Sequence, residues 1–232
     1  MIREHHLPVT RTARYCTLGT PAGGAPRQLW IACHGYGQLA ARFLRHFSVI
    51  DDGSRLIAAP EGLSRFYVEA GDGSHAEAKV GATWMTREDR LSEIDDYIGW
   101  LDALHAQLGR DYDLSAARVI VLGFSQGVAT ACRWVERGAV RPHALVLWAG
   151  EVPPDMDLAP PAHPLRTLRP TFVIGDADPW ATPAVLAKHE ARLRAQGIAY
   201  EGIRFAGGHR LDYDTLRALA ARWDEPAATS RG

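Results

Sequence analysis

Short, nearly unbroken apolar runs recur along this chain with helical patterns between them, and that alternation restricts the fold more than any other feature. A strand covered on both faces needs apolar residues at almost every position, whereas a half-exposed one alternates. Such runs, separated by amphipathic segments, describe an α/β protein with a mostly parallel central sheet and helices on both faces. The predicted strands cover residues 14–18, 28–33, 55–59, 118–122, 144–148, 171–174 and 199–205, and the predicted helices 39–47, 91–108, 126–137, 183–196 and 213–222. In the second helix Leu91, Ile94, Ile98, Leu101, Leu104 and Leu108 fall on one stripe, with the acids and His105 outward. Gly109 and Gly197 read as helix stops. One domain over residues 1–223 accounts for the pattern, with 224–232 as a flexible tail. Two long connections, 62–89 and 151–170, are expected to be functional or disordered.

The fourth run ends directly in Gly123-Phe124-Ser125-Gln126-Gly127, and a helical segment follows at once. A strand turning this sharply into a helix brings backbones close together. Glycines two positions either side of the turning residue remove the β-carbons that would clash. The serine at the apex is then held in a strained conformation with its hydroxyl presented beside a helix N-terminus.

A serine hydroxyl is a weak nucleophile until a base takes its proton, and the base needs a third group to orient it. Both partners follow in the chain. Gly175-Asp176-Ala177-Asp178-Pro179-Trp180 comes after the 171–174 strand, and Gly207-Gly208-His209 after the last one. Loops at the carboxyl ends of parallel strands open on one side of the sheet, so Ser125, an acid and His209 share that side. Asp178, paired with Pro179, is favoured over Asp176, although either could brace a loop or cap a helix. An oxyanion also needs backbone donors. Gln126 supplies one, and the loop His34-Gly35-Tyr36-Gly37 after the second strand can supply another. His34 reads as a loop-bracing residue and not a second base. Trp84 and Trp180 are the candidate substrate contacts, Trp148 belongs to the core, and Glu151 reads as a solvated loop acid.

Composition removes other function classes. A net charge of −1 gives no electrostatic argument for nucleic acid or an anionic membrane surface. Cys16, Cys33 and Cys132 are too few and too oddly spaced for a disulfide framework or a metal site, and Cys33 and Cys132 read as buried free thiols. With no apolar leader at the start and no long apolar run, a cytoplasmic location is expected.

His34-Gly35, the Gly123–Gly127 turn, Asp178 and Gly208-His209, in this order, resemble the α/β-hydrolase superfamily. Gly-Phe-Ser-Gln-Gly and the Ala59-Pro60 ending of the third run are similar to motifs of its small phospholipase/carboxylesterase family, the group related to acyl-protein thioesterases. The resemblance spans residues 28–212. It implies an α/β-hydrolase fold without a large cap domain, Ser125 as nucleophile, His209 as base and Asp178 as orienting acid. It further implies the N–H groups of Tyr36 and Gln126 as oxyanion hole, and no metal or cofactor. Tyr36 stands where those thioesterases have leucine and Val128 where a further glycine is usual, and stretches 60–67 and 81–88 depart from their pattern. The machinery is therefore implied and the substrate is not. The expected activity is hydrolysis of soluble short-to-medium acyl esters through an acyl-enzyme, with a small-molecule ester as substrate, no nucleic acid or membrane insertion, and the oligomeric state left open. The alternatives are a thioesterase or deacylase using the same triad, and a non-catalytic ligand-sensing protein.

Overall fold

Every one of the seven apolar runs is a strand in the computed structural model, which describes residues 1–19, 21–68 and 78–224. In chain order the strands are β1 (Tyr15–Leu18), β2 (Gln28–Cys33), β3 (Arg55–Pro60), β4 (Ser64–Tyr67), β5 (Val80–Thr83), β6 (Arg118–Phe124), β7 (Ala144–Trp148), β8 (Thr171–Gly175) and β9 (Glu201–Phe205). Seven of them form one sheet in the order β1-β3-β2-β6-β7-β8-β9. β1 lies antiparallel on β3, and the other neighbours run parallel, so the carboxyl ends of β2, β6, β7, β8 and β9 all reach the same edge.

The helices are α1 (Ala40–Leu44), α2 (Arg90–Asp111), α3 (Gln126–Arg137), α4 (Pro164–Leu168), α5 (Pro183–Ala195) and α6 (Tyr213–Arg222). Successive strand residues point to opposite faces. Thus Leu29, Ile31 and Cys33 of β2 join the layer holding α2, α3 and Leu193 of α5, whereas Trp30 and Ala32 join the layer holding α1 and α6. Both faces are covered, which is why the strands read as unbroken apolar runs. Cys33 and Cys132 are buried free thiols, and burial pushes both upward in pKa.

Several local readings change. The predicted helix 39–47 is split between α1 and a 3₁₀ segment, Arg45–Ile50. On α2 the buried stripe runs through Ile94, Tyr97, Ile98, Leu101, Leu104 and Leu108; Tyr97 joins it, and Leu91, in the first turn, is exposed. Gly109 does not stop α2. The helix continues to Asp111 and ends where Tyr112 turns extended; a glycine inside a helix costs only about 1 kcal/mol and need not end it. Gly197 does follow the end of α5, at φ +64. Connection 62–89 contains the β4–β5 hairpin, and connection 151–170 contains α4, started by Pro164 at its first position and capped by His163. Asp224, placed by sequence in the flexible tail, is pinned: it accepts from Gln28 Nε2 at 2.8 Å and pairs with Arg55. The rest of that expected tail, 225–232, lies outside the described residues. No helix among the described residues is long and apolar enough to cross a membrane.

Candidate active site

Ser125 sits at φ +53, ψ −117, between the end of β6 and the first residue of α3. That conformation costs a non-glycine residue about 1–3 kcal/mol. Close packing around the turn fixes it. A β-carbon on Gly123 would lie 2.3 Å from the Gly127 carbonyl oxygen, and one on Gly127 would lie 2.2 Å from the Cys33 carbonyl oxygen. The Ser125 N–H donates to the Trp148 carbonyl at 2.8 Å, tying the turn to the end of β7.

Asp178 and His209 are brought together by the loops after β8 and β9. The Asp176 N–H donates to the Phe205 carbonyl at 2.9 Å and the Ala177 N–H to the Gly207 carbonyl at 2.8 Å, so one loop is laced to the other. Asp178 Oδ2 lies 2.8 Å from His209 Nδ1, with the carboxylate buried and the imidazole partly exposed. Asp178 Oδ1 accepts from the Trp180 N–H at 2.9 Å. Asp176 instead pairs with Arg204 at the surface. The imidazole of His209 packs against Phe124, ring centroids 5.1 Å apart. Trp148, fully buried as expected, links both halves: its carbonyl holds the serine turn and its indole N–H donates to the Arg210 carbonyl at 2.9 Å.

The loop after β2 approaches from the other side, where a β-carbon on Gly35 would sit 3.2 Å from that of Ser125. The Gly35 N–H is taken by Gln38 Oε1 at 2.8 Å and the Gly37 N–H by the Ala82 carbonyl at 2.9 Å. The Tyr36 N–H between them, like the Gln126 N–H at the start of α3, has no acceptor among the described residues. His34 is fully buried; its Nε2 accepts from the Gly62 N–H at 3.0 Å, so Nδ1 carries the proton and donates to the Gly35 carbonyl at 2.8 Å. Burial lowers its pKa, in keeping with a neutral, bracing ring.

Two side chains that sequence reasoning passed over stiffen this loop. Gln126 donates to Thr83 Oγ1 and the Met85 carbonyl, both at 2.9 Å, and accepts from the Trp84 N–H at 3.2 Å, clamping the hairpin end to the serine turn. Glu61 is a buried carboxylate accepting from Arg14, Arg65 and the Ala40 N–H. Burial alone would raise its pKa, but these donors outweigh it and hold the group below the usual carboxylate range.

Ser125 and His209 line two adjoining cavities. The larger, about 380 Å³, extends under α5 between Ile174, Trp180, Val185, Leu186 and His189, with Glu151 at its rim. The smaller, about 280 Å³, is more polar and reaches Gln38, His46 and Arg210. Trp180 therefore lines the site, 75% exposed at its mouth. Trp84 does not. It is buried in the core layer, its indole donates to the His34 carbonyl at 2.8 Å and its ring meets the edge of Tyr97. The hairpin places Trp84 against the sheet, where an indole finds both apolar neighbours and an acceptor. Among the described residues Glu4, His6 and Asp89 are close enough together to share a cation, but all three are exposed and none lines either cavity.

No protein-family model matches the sequence, and no curated protein matches it. Solved structures do match along nearly the whole chain. Esterase PE8 superposes with a TM-score of 0.63 at 21% identity, covering 91% of this chain and 98% of that one. A carboxylesterase from Bacillus cereus gives 0.64 at 15% identity, covering 91% and 93%. Acyl-protein thioesterase 2 from Zea mays gives 0.63 at 19% identity, covering 91% and 100%. The chain has the α/β-hydrolase fold. Ser125 stands at the turn between β6 and α3, and the loops carrying Asp178 and His209 follow β8 and β9, farther across the same sheet. No large cap interrupts the described residues, since the connection after β7 is folded only into the five-residue α4.

Proposed function

We propose that this α/β-hydrolase-fold protein is a carboxylesterase-type serine hydrolase of the phospholipase/carboxylesterase family. The observation that carries the proposal is the strained Ser125 sharing a cavity with His209, whose Nδ1 lies against the buried Asp178 carboxylate. His209 takes the Ser125 proton through Nε2 as Oγ attacks the ester carbonyl carbon. The resulting oxyanion is received by the N–H groups of Tyr36 and Gln126, which already lack other acceptors. Asp178 keeps the proton on Nδ1 and stabilises the imidazolium. The imidazolium then protonates the departing alkoxide, and water, activated by the same histidine, frees the acid. The apolar cavity under α5 suits the acyl chain, and the more polar one suits the leaving group. A thioester would be cut by the same groups.

Tyr36 acts through its backbone. The residue borders the smaller cavity but is 61% exposed, its ring tilted against Phe66 at 5.0 Å. Tyr36→Phe is therefore expected to hold kcat/KM within a few-fold, roughly under 1 kcal/mol. A loss near ~10²-fold would mean that the phenol donates to the oxyanion.

The test of the function is a panel of soluble short-chain esters and thioesters with fluorophosphonate labelling alongside. Turnover and a single labelled site support the hydrolase; neither turnover nor labelling would favour a ligand-sensing protein. Prolines at 153, 154, 160, 161, 164 and 170 prevent the 151–170 connection from forming a long amphipathic lid. With a short triglyceride, specific activity is accordingly expected to show no rise across the solubility limit, and a sharp increase would mark a lipase.

A further inference from the structure

α5 turns one polar side chain toward the site. Val185, Leu186, His189 and Leu193 form its inner stripe, and His189 is buried there, in the wall between the large cavity and a further 140 Å³ space beneath the helix. Ile174 and Leu186 complete the shared wall. The Val152 N–H donates to His189 Nε2 at 3.3 Å, which places the ring proton on Nδ1. Burial, with Arg192 close by, lowers the group to about 4, so the ring is neutral at neutral pH. Nδ1–H has no protein acceptor among the described residues, and His189 lines both spaces. The ring plane is fixed. Phe172 meets it edge-on at 5.0 Å, and Arg192 holds the facing loop through the Val152 and Met156 carbonyls at 3.0 and 2.7 Å.

A fixed donor without an acceptor, in an otherwise apolar wall, loses a hydrogen bond whenever a pure hydrocarbon fills the space. We propose that His189 Nδ1–H is a specificity-determining donor for the acyl group, and that the substrates are esters of acids bearing an uncharged acceptor, such as an oxo or ether oxygen, along a short chain. The inference rests on the esterase reading and deepens it. Glu151 at the cavity rim works against a terminal carboxylate in the same place.

The test compares p-nitrophenyl hexanoate with its 4-oxo and 5-oxo analogues, each rate divided by that ester's alkaline hydrolysis rate to remove electronic activation. For the wild type, kcat/KM for one oxo ester is expected to exceed that for hexanoate by about 2- to 13-fold, the range of one neutral hydrogen bond. His189→Leu should bring the ratio to about one, and His189→Asn, whose amide N–H can take the place of Nδ1–H, should keep most of it. The ratio cancels general damage to the cavity, which a bracing role toward Val152 alone would cause. A wild-type ratio near one for both oxo esters, or an unchanged ratio in His189→Leu, overturns the donor while leaving the esterase standing. Turnover of none of the three esters by wild type overturns both.

Discussion

Ser125→Ala is expected to abolish fluorophosphonate labelling and to lower ester turnover by more than ~10³-fold, leaving the catalysis supplied by binding and the oxyanion donors. Alanine keeps the β-carbon at φ +53, so the turn is no more strained than before and the loss reports chemistry. Ser125→Gly provides the complement. It also lacks the hydroxyl, but it releases a conformation costing about 1–3 kcal/mol and should melt at the same or a higher temperature than wild type while remaining inactive. A site more stable without its serine is one whose strain the fold maintains for function. Normal labelling in Ser125→Ala would place the nucleophile elsewhere.

The sheet was legible because parallel strands covered on both faces leave continuous apolar runs, and each of the seven predicted strands falls on an observed one. What escaped were elements whose residues serve other ends. β4 is four residues with alternating burial, paired only with β5 and separated from it by a long connection, so no run marks it. α4 is a single turn among prolines, recognisable only through Pro164 at its start. Missing the hairpin led directly to the misplacement of Trp84. An indole expected in an open loop is in fact on a sheet-backed hairpin end with a core to join.

The candidate site was legible for a related reason. In a parallel sheet the loop after each strand opens on the same edge, so the order serine, acid, histidine fixes a side of the molecule before any distance is known. The supporting residues were less visible because their partners are remote in sequence. Glu61 meets Arg14 and Ala40, and Gln126 meets Thr83 and Met85. His189 did leave a signal: a histidine on the same helical stripe as Leu186 and Leu193 is a polar group aimed inward, and such a group needs either a partner or a ligand.

Asp178→Asn is expected to lower kcat by about 10³- to 10⁴-fold, whereas Asp176→Asn should stay within a few-fold of wild type. The two oxygens of Asp178 have different duties: Oδ1 accepts from the Trp180 N–H at 2.9 Å and Oδ2 faces His209 Nδ1 at 2.8 Å. An asparagine has one acceptor and one donor group. Its oxygen keeps the Trp180 N–H, which can only donate, and its NH₂ then faces Nδ1. That arrangement places the imidazole proton on Nε2, the atom that must accept the proton of Ser125. The geometry survives and the base is switched off, so labelling should fall along with turnover while the melting temperature changes little. Asp176 loses only a surface ion pair with Arg204, worth at most about 1 kcal/mol and unconnected to the imidazole. Measuring kcat for both variants with one soluble ester separates the acids. Equal losses, or a loss confined to Asp176→Asn, would overturn the assignment of Asp178 and leave the 2.8 Å contact with His209 as loop bracing alone.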